Sequence, residues 1–186
     1  MTDPFVVGIN ILTIPGIREP YINDLTSKKV RGYGLALHLM DIPAYNDDGY
    51  RLYDDSTSKP SVKKTVDAFD DRSIDNNYVA TYFPDVFVDD TTNVRRVKVP
   101  ATVAALGAIG FNDRVSYPWF APAGFTRGGL TEGRGGLPVV GVSQRLSSKD
   151  RDKLYEVNVN PIATFPNEGV VIFGQKTLQQ LPSALD

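Results

Sequence analysis

Residues 35–40 form an almost continuous apolar run, interrupted only by His38. Such a run is typical of a strand that is covered on both faces, as strands of parallel sheets are. A shorter apolar segment, residues 9–14, precedes it, and Pro20 suits the first turn of a helix between the two. A strand, a helix and a strand within about 35 residues predict a βαβ unit with a right-handed crossover.

Further strands and helices are predicted along the rest of the chain. Residues 46–59 are polar and rich in turn-forming residues, which predicts a loop. The last two strands enclose the turn 166–169 and form a terminal β-hairpin. The whole pattern predicts one α/β domain over residues 1–186, tending to α+β, with a mixed, mainly parallel sheet flanked by helices. Strands are predicted at residues 9–14, 35–40, 78–83, 86–88, 94–99, 139–142, 162–165 and 170–174, and helices after Pro20, Pro60, Pro100 and Ser147.

Short patterns predict how some helices pack. Ile22, Leu25 and Val30 give the first helix a partial apolar face. The helix after Pro100 contains several small residues, which would let a neighbouring backbone approach closely. These small residues are Ala104, Gly107, Ala108 and Gly110.

The helix near Ser147 carries both a start and a stop signal. Asp150 follows Ser147 by three residues, which predicts a variant capping box. Leu154 and Val157 are expected to face inward, and Asn158 suits a left-handed C-terminal stop.

Residues 116–138 show little periodicity. The segment begins with aromatic residues between prolines, including Trp119, which predicts a packed corner. A mobile glycine-rich loop is expected within residues 124–138.

Composition excludes many kinds of chemistry. Cysteine is absent, which excludes disulfides, thiol nucleophiles and thiolate metal sites. The 20 basic and 22 acidic residues nearly cancel, and without a basic tract a nucleic-acid partner is not expected. No apolar run approaches the roughly 18 residues of a membrane span, and Met1 is not followed by a secretory leader, so no membrane partner is expected either.

His38 and Asp41 are the candidates for a ligand or catalytic site. His38 is the only histidine, but three positions along a strand place it and Asp41 on opposite faces. A histidine within a packed sheet is the preferred interpretation. Asp41 follows a predicted parallel strand, where it either lines a ligand crevice or caps the next turn. No catalytic, cofactor-binding or metal-binding residue is assigned from the sequence, and no cofactor is expected.

Acidic pairs and glycines give no stronger signal. The pairs Asp47–Asp48, Asp54–Asp55, Asp70–Asp71 and Asp89–Asp90 lack the alternating spacing of a calcium loop, so solvated turns are favoured. The cluster around Gly133 and Gly135 lacks the Gly-Lys-Ser/Thr ending of a phosphate loop, and Pro138 stands where a third glycine would fall.

The order of several short motifs is nevertheless specific. Residues 82–88 read YFPDVFV, residues 99–101 read VPA, and residues 117–124 read YPWFAPAG. Residues 158–162 then read NVNPI, followed by FPNEGVVIFGQKT at residues 165–177 and PSALD at residues 182–186. In this order they resemble the core domain of the contractile tail sheath protein of myophages, especially that of T-even-like phages. The resemblance spans nearly the whole chain.

That resemblance implies mechanical work instead of catalysis. Sheath subunits stack as six-fold rings around a tail tube and contract on a baseplate signal, which drives the tube through the host envelope. The implied partners are other sheath subunits, the tube and the baseplate, and the implied location is the phage tail, assembled in the host cytoplasm. The family's N-terminal arm and C-terminal domain have no counterpart here, so we expect an isolated core that is monomeric in solution.

Two other functions are also consistent with the sequence. One is the sheath of a tailocin or of a secretion-type injection machine. The other is a small doubly wound ligand-binding or hydrolytic domain, with His38 exposed in a crevice and facing a carboxylate near Asp41.

Overall fold

The computed structural model describes residues 6–53, 57–90, 92–133 and 135–181. Helices and strands follow one another along these residues largely in the predicted order. The strands are β1 (Ile11–Thr13), β2 (Leu37–Met40), β3 (Ala44–Tyr45), β4 (Arg51–Leu52), β5 (Val79–Phe83), β6 (Val86–Asp90), β7 (Arg95–Val99), β8 (Val139–Val142), β9 (Val159–Phe165) and β10 (Gly169–Ile172). The helices are α1 (Pro20–Tyr33), α2 (Val62–Asp70), α3 (Ala101–Val115), α4 (Gly124–Arg127) and α5 (Ser148–Glu156).

The main sheet has five strands in the order β1-β2-β5-β9-β10. The first four pair in parallel, and β9 pairs with β10 as an antiparallel hairpin. The mixed, mainly parallel sheet, the βαβ start and the terminal hairpin are therefore confirmed.

Helices cover both faces of this sheet. On one face, Leu39, Ala80 and Ile162 pack with the alanines of α3. On the other face, Met40 and Val159 pack with α2 and α5, and Val30 and Tyr33 of α1 form a smaller cluster. Strand β2 is thus buried from both sides, which explains its almost continuous apolar run.

A second, antiparallel sheet in the order β7-β6-β8 adjoins the first. The backbone at residues 128–130 joins them. Gly128 accepts a hydrogen bond from Ile172 N of β10, and Leu130 both donates to Val170 O and accepts from Val139 N of β8. The loop predicted within residues 124–138 is therefore wrong in part, because Gly124–Arg127 form α4 and residues 128–130 connect the two sheets.

Local signals explain how α5 and its neighbours begin and end. Ser147 and Asp150 form the reciprocal capping box, and Leu154 of α5 is fully buried. Asn158 adopts a φ of 61°, which confirms the left-handed stop. Gly34 ends α1 with a φ of 77°.

Close helix packing in α3 depends on Gly107. A Cβ on this residue would overlap the carbonyl oxygen of Gly135, while a Cβ on Gly110 would meet open space. The predicted approach of a neighbouring backbone to the small residues is confirmed at Gly107, and the backbone that approaches comes from the glycine-rich segment.

Three further expectations about the fold are wrong in whole or in part. Of the apolar face predicted for α1, Val30 is buried, but Ile22 and Leu25 are exposed. The helix buries Asn23 and Ser27 instead, which contact the end of β2 and His38. Residues 46–59 are not all loop, because Arg51 and Leu52 form β4 against β3. The third expectation, a packed aromatic corner at Trp119, fails because Trp119 is 76% exposed and stacks on Tyr117 instead of the core.

Candidate functional site

A buried polar centre surrounds Asp41 at the end of β2. Its carboxylate accepts hydrogen bonds from the backbone N–H of Gly16 at 2.9 Å, from Thr102 N at 3.2 Å and from Thr102 Oγ1 at 2.8 Å. Its backbone oxygen accepts one from Asn23 Nδ2 at 3.0 Å. Asp41 is 3% exposed. Asp41 therefore connects the first turn of α3 to the turn before α1. Its negative charge also suits the N-terminus of α3. Both sequence predictions for Asp41 are wrong, because it neither lines a crevice nor caps the turn that follows it.

A buried ion pair lies close to this centre. Arg18 Nη2 donates to both carboxylate oxygens of Asp85, at 3.0 and 2.9 Å, and Arg18 Nη1 donates to the backbone oxygen of Ile42 at 3.0 Å. Burial raises the pKa of Asp85, although the neighbouring Arg18 charge acts to lower it. Together these contacts join the segment before α1, the end of β2 and the start of β6. Nothing in the sequence pairs Arg18 with Asp85, which are 67 positions apart.

His38 lies inside the protein, 1% exposed. Its Nδ1 is 3.2 Å from Ser27 Oγ, and the Ser27 hydroxyl already donates to Asn23 O. Nδ1 must therefore donate its proton to Ser27, which fixes the neutral tautomer. Burial lowers the pKa of His38 to about 4.

The hydrolytic alternative requires His38 in an open crevice facing a carboxylate. His38 instead faces Ser27 of α1, while the Asp41 carboxylate faces Thr102 of α3. A cleft of about 350 Å³ beside the β3–β4 hairpin is lined by Asp85, with neither His38 nor Asp41 in its wall. The structure does not bring the two candidate residues together.

Asn160 anchors the last described segment. Its Nδ2 donates to Thr81 O at 3.0 Å and to Lys176 O at 2.8 Å, and its Oδ1 accepts from Lys176 N at 2.7 Å. Asn160 is completely buried, and Gly174 packs closely against it. The NVNPI and FGQKT motifs therefore lie against each other, with one side chain satisfying backbone groups of two segments.

The acidic pairs lie on the surface or in turns. Asp47 and Asp48 occupy the exposed turn between β3 and β4, and Asp70 and Asp71 are exposed at the end of α2. Asp89 and Asp90 pair with arginines across the β6–β7 hairpin. The pair Asp54–Asp55 lies outside the described residues.

Within the described part of the chain, no group of three or more histidine and acidic side chains is arranged to hold a metal ion. Gly133 and Gly135 lie in the segment that packs near α3, and Arg134 between them lies outside the described residues. Over the ranges that the structure describes, no helix has both the length and the apolar character needed to cross a membrane.

An exposed aromatic surface lies at the end of the terminal hairpin. Phe125, Phe165 and Phe173 contact each other with ring centroids 5.0 to 5.8 Å apart. Arg151 lies over Phe165 at 5.1 Å and over Phe173 at 5.9 Å. Lys176 lies 3.8 Å from the ring centre of Tyr155. We call these six residues the aromatic surface; sequence reasoning missed it because its members come from four separate segments.

Comparison with known proteins gives two sequence relatives. The chain is 33% identical over 142 residues to the tail sheath protein of Vibrio phage KVP40, which covers 76% of this chain and 19% of the relative. It is 31% identical over 114 residues to the tail sheath protein of Enterobacteria phage T4, which covers 61% of this chain and 15% of that protein. The chain thus spans less than a fifth of the length of these relatives. No family model matches it.

Solved structures show the same fold. The contracted helical sheath of the anti-feeding prophage matches with a TM-score of 0.60 and 22% identity, over 97% of this chain and 42% of that one. The contracted sheath complex of the extracellular contractile injection system PVC matches with a TM-score of 0.61 and 18% identity, over 96% of this chain and 42% of that one. The resemblance of this chain to one region of the contractile tail sheath proteins is therefore confirmed by both sequence and fold.

Proposed function

We propose that this chain is a structural subunit, or part of one, of a bacteriophage contractile tail sheath. It polymerises as six-fold rings around the tail tube, and contraction of the rings drives the tube through the host envelope. The observation that carries the proposal is the 33% identity to a phage tail sheath protein over 142 residues.

The architecture suits such a role. A sheath subunit must keep its own fold while its contacts with neighbours change between discrete packings. In this chain, the Asp41 centre and the Arg18–Asp85 pair join the starts of α1, α3 and β6 to the end of β2. Bonds between elements that are far apart in sequence favour motion of the whole domain as one body.

The partners that we propose are further copies of the subunit, the tail tube and the baseplate. The place of action is the virion tail, after assembly in the host cytoplasm. We propose no catalytic role, since His38 is buried beside Ser27 and the Asp41 carboxylate is held by Gly16 and Thr102. The 186 residues act as one core domain that is monomeric at micromolar concentration.

Immunogold electron microscopy of intact particles tests this function. An antibody raised against the purified chain should label the tail along its whole length. Labelling confined to the head, the baseplate or the tail fibres would contradict a sheath role.

A second candidate is the sheath of a headless injection machine. The fold match to the anti-feeding prophage sheath, with a TM-score of 0.60, supports this second candidate. Particles purified with the same antibody separate the two possibilities. DNA-filled heads on the labelled tails support the phage sheath, whereas tails without heads support the injection machine.

A further inference from the structure

The aromatic surface contains two cations that lie over aromatic rings, as Arg127 does over Phe120 elsewhere in the protein. Arg18, Arg51, Arg72, Arg95 and Arg96 each form an ion pair with a carboxylate. Among the described residues, Arg151 and Lys176 have no carboxylate within 4.0 Å and lie over aromatic rings instead. Arg151 Nη2 also donates to Ser148 Oγ and Lys176 Nζ to Tyr155 O, both at 3.1 Å. Neutral partners thus hold two positive charges in place on an apolar surface.

The aromatic surface is also uncovered. Phe125 is 50% exposed, and Phe173 and Tyr155 are each 42% exposed. Beside them, a groove of about 460 Å³ runs between Tyr155 and Phe173, with Asp152 as the one acidic residue in its described wall. Exposed aromatic rings combined with arginine are the composition of interface centres, and contiguous patches of this kind are rare on surfaces that face only water.

The turn between β3 and β4 has the complementary composition. Asp47 and Asp48 are exposed, and Tyr50 beside them is 73% exposed. The turn is held in shape by Asn46, whose backbone oxygen accepts from Gly49 N at 3.0 Å and whose Oδ1 accepts from Tyr50 N at 2.8 Å. Two carboxylates and one aromatic ring are thus presented by a preformed turn, so that docking costs little ordering entropy.

We propose that the β3–β4 turn of one copy docks on the aromatic surface of a second copy of this chain. Asp47 and Asp48 lie against Arg151 and Lys176, and Tyr50 enters the groove beside Phe173. This inference rests on the proposed sheath function, because it identifies a contact between neighbouring subunits. The two surfaces belong to different elements of the same chain, so each copy offers both. A contact of this head-to-tail type repeats into a ring or a helix instead of closing as a dimer.

Opposite charge reversals on the two surfaces test the contact. The first variant combines Arg151→Glu with Lys176→Glu, and the second combines Asp47→Lys with Asp48→Lys. Neither should self-associate, because each brings like charges together. Mixing them restores opposite charges at both possible contacts. The acidic turn of the first variant meets the basic surface of the second, and the lysines in the turn of the second meet the glutamates on the surface of the first. The matched control, Asp70→Lys with Asp71→Lys, makes the same charge change at an exposed pair on α2.

The measurement is sedimentation equilibrium of the purified chain up to about 1 mM, with NMR shifts to locate the contact. We expect weak association of the natural sequence, with concentration-dependent shifts at Tyr50 and Phe173. Each reversal should weaken association by about tenfold or more, the control should not, and the mixture should recover it. Absence of association in the natural sequence, an unchanged reversal variant, or failure of the mixture to recover would each overturn the inference. None of these results affects the immunogold test, so the sheath role and this contact fail separately.

Discussion

The carboxylate of Asp41 accepts two hydrogen bonds from Thr102, one from its backbone N–H at 3.2 Å and one from its hydroxyl at 2.8 Å. The two residues are 61 positions apart, at the end of β2 and in the first turn of α3. Both are buried, at 3% and 0% exposure. This pair connects a helix on one face of the sheet to a strand within it. Its loss should therefore lower the free energy of unfolding of the whole domain.

Removal of either partner tests the strength of this connection. Asp41→Ala should lower the free energy of unfolding by about 3 kcal/mol, because it leaves buried donors without an acceptor. Thr102→Val should lower it by about 1–2 kcal/mol. Urea denaturation measures both, with the exposed Asp70→Ala as a control expected within about 0.5 kcal/mol of the natural sequence. If Asp41→Ala is as stable as the control, Asp41 does not hold the fold together.

Asn160 should control the attachment of the segment after β10. Asn160→Ala removes three hydrogen bonds to Thr81 and Lys176, and we expect a loss of about 2–4 kcal/mol in the free energy of unfolding. The amide of Lys176 should exchange with solvent much faster in the variant, as measured by hydrogen exchange. Gln175→Ala, an exposed neighbour, provides the control. Equal exchange at Lys176 in both variants would show that Asn160 does not anchor this segment.

Two glycines of α3 should respond to alanine in opposite directions. Gly107→Ala places a methyl group against the carbonyl oxygen of Gly135, and we expect a loss of about 1–3 kcal/mol. Gly110→Ala meets open space and should gain about 0.5–1 kcal/mol from the higher helix propensity of alanine. Thermal unfolding compares the two. A stabilised Gly107→Ala variant would mean that the glycine-rich segment does not pack on α3.

His38 should make the protein less stable as the solution becomes acidic. Burial lowers its pKa from 6.5 to about 4, so the unfolded chain binds this proton first. The neutral His38 therefore contributes about 3 kcal/mol to the free energy of unfolding. This contribution is complete above about pH 6.5 and is lost as the pH falls toward 4. The raised pKa of Asp85 acts in the opposite direction, because its contribution is lost as the pH rises.

Comparison with His38→Gln isolates the histidine, because Asp85 is present in both proteins. The difference in unfolding free energy between the two should be constant above pH 6.5 and shrink between pH 6.5 and 4. A difference that does not change with pH would show that the pKa of His38 is the same in the folded and unfolded states.

The order of elements could be predicted because local patterns determine it. The apolar run around Leu39, the turn signals and the capping box of Ser147 with Asp150 each depend on neighbouring residues. The pairing of Asp41 with Thr102 and of Arg18 with Asp85 could not, because no pattern in one sequence records contacts between distant positions.

Hydrophobic periodicity predicts burial wrongly where polar contacts override it. Helix α1 turns Asn23 and Ser27 inward to bond the end of β2 and His38, which leaves Ile22 and Leu25 exposed. The prediction of a packed corner at Trp119 is also wrong, because its partner is the ring of Tyr117, 4.7 Å away, on the surface. The aromatic surface could not be predicted for a different reason: its members come from four separate segments that only the fold brings together.

Cryo-electron microscopy of the intact tail that carries this chain, before and after contraction, tests the central claim most directly. The account predicts that the fold fits repeated density along the sheath in both states, with its backbone unchanged to within about 1 Å while its contacts with neighbours differ. Absence of this fold from the sheath density, or a rearranged five-stranded sheet after contraction, would contradict it.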